Sequence, residues 1–196
     1  LTMTRRSWTA VIVLVFVALA TIWGLRVLRT RRATDIAAAG GTGGPSSGQA
    51  VRLYREPLNV PPFAVRDLDG RAHSSTEWEG KVVLLNFWAT WCPPCRAEIP
   101  DLITLQDKYR DRVVIVGISE DEGSVDDVKR FVADQKMNYL VAMSTPELRK
   151  IFRGVVALPT TFILDPQGHI AQKHVGLLNI VDAEAEARVL AGLDTN

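Results

Sequence analysis

Five consecutive residues, Trp91-Cys92-Pro93-Pro94-Cys95, hold both cysteines of the 196-residue chain. Two thiols separated by two residues close into a disulfide with little backbone rearrangement. A pair that opens and closes carries two electrons to or from another protein's disulfide. Zinc is the first competitor, but a structural zinc site takes four Cys or His ligands at matched spacings. The sequence has no second cysteine pair, and His73, His169 and His174 lie far along the chain without a paired-ligand spacing. Reversible dithiol chemistry is therefore expected ahead of metal binding or a purely structural bridge, with neither metal nor cofactor.

The elements on either side explain how such a pair would be presented. Lys81 to Trp88 reads KVVLLNFW, a continuous run with β-branched and aromatic members, as in a central strand buried on both faces. From Pro93 to about Tyr109 the apolar residues Ile99, Leu102, Ile103 and Leu105 follow helical spacing. Cys92 then falls in the helix N-cap region, with Pro93 and Pro94 in the first turn, where no intrahelical N–H is required. The helix dipole and free backbone N–H groups stabilise a thiolate there, which makes Cys92 the attacking nucleophile. Cys95, one turn deeper, would resolve the mixed disulfide. The two prolines remove backbone donors, and no His or Lys separates the cysteines. Both features argue against a very acidic thiol and favour a reductant over a strong oxidant.

Further along, Pro61–Val65 and Asp67–Gly70 suggest a short extended segment leading to a turn. Strands are expected at 112–118 (RVVIVGI), 140–143 and 160–164 (TTFIL), and helices from Ser124 to about Lys136 and around Pro146–Phe152. Asp165-Pro166-Gln167-Gly168 is a turn signal. Ile170–Val175 would return as a hairpin partner, followed by a helix over Asp182–Leu190. Asp121, Glu122, Asp126 and Asp127 read as a solvated helix start. Alternating strands and helices closed by a hairpin imply an α/β three-layer sandwich with a mixed central sheet.

The N-terminal third is different. Trp8–Leu25 is an 18-residue stretch without a charged side chain, near the lower limit of roughly 17–25 residues for a membrane-spanning helix. Trp8 and Trp23 sit near its ends, where indoles favour the lipid–water boundary. Ala18-Leu19-Ala20 has the small-x-small pattern of a signal-peptide cleavage site, but the apolar run continues past it. Retention as an anchor is the favoured reading, with a cleaved signal peptide as the alternative. Ala37–Gln49 (AAAGGTGGPSSGQ) has no means of burying a face and reads as a tether. The expected organisation is an anchor or signal over 1–30, a flexible linker over 31–56 and a globular domain over 57–196. Arg26, Arg29, Arg31 and Arg32 after the span outnumber Arg5 and Arg6 before it, against a simple positive-inside orientation. The domain is placed on the extracytoplasmic side because it is a redox module behind an export-like segment. Residues 1–50 carry six Lys/Arg and one Asp/Glu, or +5, while 51–196 carry 17 and 21, or −4. The basic flank suits anionic lipid, and the acidic domain argues against nucleic acid as a partner.

Phe87-Trp88-Ala89-x-Trp91-Cys92-x-Pro94-Cys95 resembles the thioredoxin active-site signature. Pro100 matches the proline inside the thioredoxin active-site helix, and Leu158-Pro159-Thr160 matches the cis-proline loop. Within that superfamily the chain, over about residues 57–192, is most similar to membrane-anchored proteins of the TlpA/ResA/CcmG type. The interval from Cys95 to Pro159 leaves room for an inserted helix and strand. Asn86 stands where thioredoxin carries a buried aspartate, and Glu98 matches an acidic residue kept near the dithiol. The resemblance implies a thioredoxin-like fold and protein-disulfide reductase activity, with Cys92, Cys95 and Glu98 as catalytic residues. Trp91, Pro93, Pro94, Leu158 and Pro159 would contact substrate. The implied partners are protein disulfides, apocytochrome c among them, and a membrane electron donor of the CcdA/DsbD kind. The N-terminal helix would contact the membrane itself. A disulfide oxidase or isomerase is one alternative. A thiol peroxidase would place threonine where Ala89 stands, and a copper-delivery protein would need His169 or His174 at the cysteines.

Overall fold

The computed structural model describes residues 50–193, with side chains from residue 57 onward. A six-stranded mixed sheet is assembled in the order β1-β8-β7-β4-β5-β6. Its strands are β1 (Ala50–Leu58), β4 (Val82–Trp88), β5 (Val113–Ser119), β6 (Leu140–Met143), β7 (Thr160–Leu164) and β8 (Ile170–Val175). β4, β5 and β6 run parallel, whereas β7, β8 and β1 extend the sheet antiparallel. A two-stranded hairpin, β2 (Ala64–Arg66) and β3 (Ala72–Ser74), stands apart from it.

The continuous apolar run of β4 is explained by burial on both faces, since all seven of its residues are buried. Side chains alternate across a strand. Val82, Leu84 and Trp88 therefore pack with helices α1 (Pro93–Tyr109), α2 (Val125–Asp134) and α4 (Ile180–Leu190). Val83, Leu85 and Phe87 face the opposite core, with Phe63, Trp78, Leu148, Phe152 and Phe162. Leu148 belongs to the short helix α3 (Pro146–Ile151), and a 3-10 turn at Ser75–Trp78 supplies Trp78. Four aromatic rings, of Phe63, Phe87, Phe152 and Phe162, meet at centroid distances of 5.0–6.0 Å. These contacts add to their area burial. The expected three-layer sandwich with a mixed sheet is thus observed.

Helix boundaries follow capping chemistry. Ser124 caps α2 through a bond from the Asp126 N–H (3.1 Å), and Thr145 caps α3 through the Leu148 N–H (3.2 Å). Such caps satisfy donors left over in the first turn. The linker expected to reach residue 56 ends earlier: Ala50–Leu58 forms β1, antiparallel to β8 with Ala50 opposite Val175. Without it β8 would be an open edge of unpaired N–H and C=O groups. The expected anchor over 8–25 and the tether over 37–49 lie outside the described residues. Among the described residues no helix is long and apolar enough to cross a membrane.

Candidate active site

β4 ends at Trp88, and α1 begins four residues beyond Ala89, so the dithiol sits at the C-terminal edge of the central strand. Cys92 is the N-cap of α1, with Pro93 and Pro94 at its first positions. Proline at these positions leaves the Cys95 N–H as the backbone donor that reaches Cys92 Sγ, at 3.3 Å. Cys92 and Cys95 are joined as a disulfide, their Cα atoms 5.3 Å apart. Both are nearly buried, Cys92 at 3 % exposure and Cys95 at 1 %. The chain before them folds back through the Cys92 N–H, which donates to Ala89 O (3.2 Å).

Cys92 opens onto a groove of about 480 Å³. Trp91, Pro93 and Pro94 form one wall and the Val155–Leu158 segment another, with Glu120, Glu122 and Arg149 completing the rim. Trp91 is 66 % exposed and Val156 is 82 % exposed. Large apolar side chains exposed beside a reactive pair are the kind of surface that apolar partners cover. The Leu158–Pro159 peptide bond is cis, Pro159 is buried, and its carbonyl accepts from the Gly176 N–H (2.8 Å). Among the substrate-binding residues expected from sequence, Trp91, Pro93, Pro94 and Leu158 converge on this groove. Pro159 fixes the chain immediately behind it.

Glu98 lies one turn beyond Cys95 on α1, 3 % exposed. Its Oε1 accepts from Asn86 Nδ2 at 2.7 Å and its Oε2 from the Leu178 N–H at 2.9 Å. The same Asn86 amide donates to Thr161 Oγ1 at 3.0 Å. Asn86 belongs to the row of β4 side chains that faces α1, and Thr161 is its register partner on β7. Burial pushes the Glu98 carboxyl up to about 7, although both hydrogen bonds pull the other way. Asp101 on the next turn adds a smaller push upward. Glu98 is thus a buried, hydrogen-bonded carboxyl and not a solvated helix glutamate. Its field and burial also raise the Tyr139 phenol above its ordinary range, with burial the larger cause.

The acidic cluster needs correction. Asp126 and Asp127 do occupy the first turn of α2, but Asp121 is engaged, as is its neighbour Glu120 outside the cluster. Asp121 Oδ2 accepts from the Thr90 N–H (3.0 Å) and from Ser119 Oγ (2.7 Å), and its Oδ1 accepts from Thr90 Oγ1 (2.6 Å). Glu120 pairs with Arg149 and accepts from Ser144 Oγ (2.7 Å). Isolated acids on a loop after a strand look solvated in a sequence because their partners come from other loops. Glu120, Arg149, Val155, Val156, Thr161 and the Leu178 N–H were likewise not identifiable before the fold was known.

The competing histidine sites do not converge on the dithiol. His169 closes the β7–β8 turn beside Asp165 (3.3 Å), at the end of β7 away from Pro159. His174 is fully buried, with Nε2 2.8 Å from Glu186 Oε2 on α4. Among the described residues no group of three or more His, Cys, Asp or Glu is placed to hold a metal ion. The Thr90 hydroxyl, one residue from the position a peroxidase would use, donates to Asp121.

A cysteine pair closing at the mouth of a helix, behind a buried parallel strand and beside a cis-proline loop, defines the thioredoxin-fold thiol–disulfide oxidoreductases. Comparison with known proteins agrees with this class. The chain belongs to the AhpC/TSA family, whose model matches residues 58–173. It is 34 % identical over 132 residues to the thioredoxin-like protein YneN of Bacillus subtilis, covering 66 % of this chain and 77 % of the relative. It is 38 % identical over 119 residues to the thiol-disulfide oxidoreductase ResA of Bacillus thuringiensis, covering 60 % and 68 %. Among solved structures, a thioredoxin-family thiol:disulfide interchange protein from Chlorobium tepidum superimposes with a TM-score of 0.63. It shares 32 % identity, with 71 % of this chain and 99 % of that one covered.

Proposed function

We propose that this thiol–disulfide oxidoreductase is an extracytoplasmic reductant of disulfides in exported proteins, apocytochrome c among them, tethered to the membrane through Trp8–Leu25. The observation that carries the reading is the apolar groove at Cys92, backed by a buried carboxyl one turn from Cys95. In the reduced protein the Cys92 thiolate attacks one sulfur of a substrate disulfide. A mixed disulfide forms and the first substrate thiolate leaves. Cys95, deprotonated, then attacks Cys92 Sγ, releasing the second substrate thiolate and closing the Cys92–Cys95 disulfide. Two electrons pass to the substrate, and a membrane dithiol donor returns them. Glu98 receives the proton that Cys95 must lose, a role suited to a carboxyl that titrates near neutral pH.

The direction of transfer is supported by the first turn of α1. Pro93 and Pro94 contribute no N–H, so Cys92 Sγ keeps a single backbone bond, from Cys95. A thiolate with few donors is less stabilised, and the dithiol is a correspondingly stronger electron donor.

Replacing Cys95 with Ala tests the reading directly. The variant lacks the resolving thiol and should accumulate substrates as mixed disulfides on Cys92, identifiable by mass spectrometry. Exported proteins, including apocytochrome c, should dominate the adducts. A set of adducts without any cytochrome apoprotein removes the maturation role, and a set without exported proteins removes the extracytoplasmic assignment.

A further inference from the structure

Three loops leave the C-terminal ends of the parallel strands β4, β5 and β6, and two adjacent carboxylates lace them together. Glu120 donates its N–H to Trp88 O (2.8 Å), while its side chain joins Ser144 after β6 and Arg149 on α3. Asp121 reaches the other way and accepts both polar hydrogens of Thr90, the residue directly before Trp91 and two before Cys92. The Ser119 hydroxyl holds the same carboxylate from below. Glu120 and Glu122 line the groove beside Cys92, whereas Asp121 stands between them in sequence and is absent from its lining.

We propose that Asp121 is a positioning residue for disulfide exchange. By gripping Thr90 it fixes the spacing between the Trp91–Cys92 side of the groove and the Glu120–Glu122 part of its rim. A protein segment seated there then brings its disulfide in line with Cys92 Sγ. This rests on the reading of the groove as the seat of a protein substrate.

The chemistry of the clamp favours a carboxylate. Three donors converge on two oxygens of Asp121, and an ionised group makes shorter, stronger bonds than a neutral one. Asparagine has one acceptor oxygen for the same three donors. A loop held at one residue by two bonds, to N–H and to hydroxyl, loses both translation and rotation. Exchange reactions reward such orientation because the attacking sulfur must approach along the substrate S–S axis. A small disulfide reagent reaches Cys92 without a protein segment seated along the groove walls, so it reports thiol reactivity apart from that seating. The bond from the Cys95 N–H to Cys92 Sγ is made within the first turn of α1 and does not involve Thr90.

The experiment compares two rates on the full chain in its reduced form: kcat/KM for insulin, as a model protein disulfide, and the rate with dithiobis-nitrobenzoate. Asp121→Ala should lower kcat/KM for insulin about tenfold, mostly through KM, and change the small-reagent rate less than about twofold. Asp121→Asn should fall between it and the wild type. Thr90→Val keeps the backbone bond and should lose less than Asp121→Ala. The Thr90→Val/Asp121→Ala double variant should be no worse than Asp121→Ala, because Asp121→Ala already removes the hydroxyl bond that Thr90→Val removes. Should Asp121→Ala fail to fold, the ratio of the two rates in Thr90→Val decides. Equal losses with both reagents, no loss with either, or additive effects in the double variant overturn the clamp. A wild-type chain that does not reduce insulin overturns the substrate reading and the clamp with it. An active wild type matched by its variants overturns the clamp alone.

Discussion

Glu98 shows how one residue acquires a titration range that its type does not ordinarily have. Its carboxyl is enclosed by α1, β4 and the β8–α4 loop, and receives one bond from Asn86 and one from the Leu178 N–H. Both bonds favour the anion, yet desolvation is the larger effect and the proton is held up to about 7. A group half-protonated near neutrality accepts and returns a proton with equal ease. Asn86 cannot titrate, so in the proposed mechanism the proton relay beside Cys95 falls to Glu98. Glu98→Gln keeps the shape and hydrogen-bonding size of the side chain but holds no exchangeable charge. It should slow breakdown of the enzyme–substrate mixed disulfide about ten- to hundredfold at pH 7. It should also abolish the inflection near pH 7 in the rate of that step. Rapid-quench measurement of the mixed disulfide across pH 5–9 checks both. A variant whose profile keeps the wild-type inflection would remove Glu98 from the proton path.

At the scale of elements, the site depends on how β4 and β5 lie side by side. Their parallel register sets Asn86 opposite Gly117 and Trp88 opposite Ser119. Trp88 is buried at the point where the chain leaves the sheet for the dithiol, and its Nε1 has no hydrogen-bond partner among the described residues. A Cβ at Gly117 would lie 2.9 Å from Trp88 Nε1 and 3.3 Å from Tyr139 Cε2. Gly117→Ala should therefore force the indole towards α2, where it now lies 5.5 Å from the Phe131 ring. The expected cost is about 1–3 kcal/mol in urea unfolding. A loss under about 0.5 kcal/mol would mean that the indole has room to shift. The strands and helices around this contact were legible in the sequence because each is patterned locally. β4 is an unbroken apolar run, and α2 and α3 begin at Ser124 and Thr145 caps. Even the polar interruption at Asn86 could be placed on one face of β4. The contacts that give the site its properties were not legible, since they join residues distant in sequence. Asn86 meets Thr161 across 75 positions, and Leu178 meets Glu98 across 80. Edge strand β1 escaped notice for a related reason: its pairing is dictated by β8, at the other end of the domain.

For the molecule as a whole, the buried carboxyl ties folding to pH in a direction opposite to most acidic groups. An unfolded glutamate titrates near its ordinary value of 4.5, while burial holds Glu98 in the fold up to about 7. Between these values the folded state binds the proton and the unfolded state does not. Stability therefore falls as pH rises through this window, because the unfolded state binds fewer protons. The contribution is fully present below the unfolded value and is lost above the folded one. A difference of that size corresponds to about 3 kcal/mol for a single buried group. Pairs nearer the surface, such as His73 with Asp67 and Glu77, also titrate, but a comparison with Glu98→Gln cancels them. Urea unfolding of the oxidised protein at pH 4.5 and pH 8 should show wild type losing stability relative to Glu98→Gln as pH rises. Parallel curves for the two proteins would mean that water or a rearranged Asn86 solvates the carboxylate. The same burial that readies Glu98 for proton transfer thus makes the folded domain less stable above neutral pH.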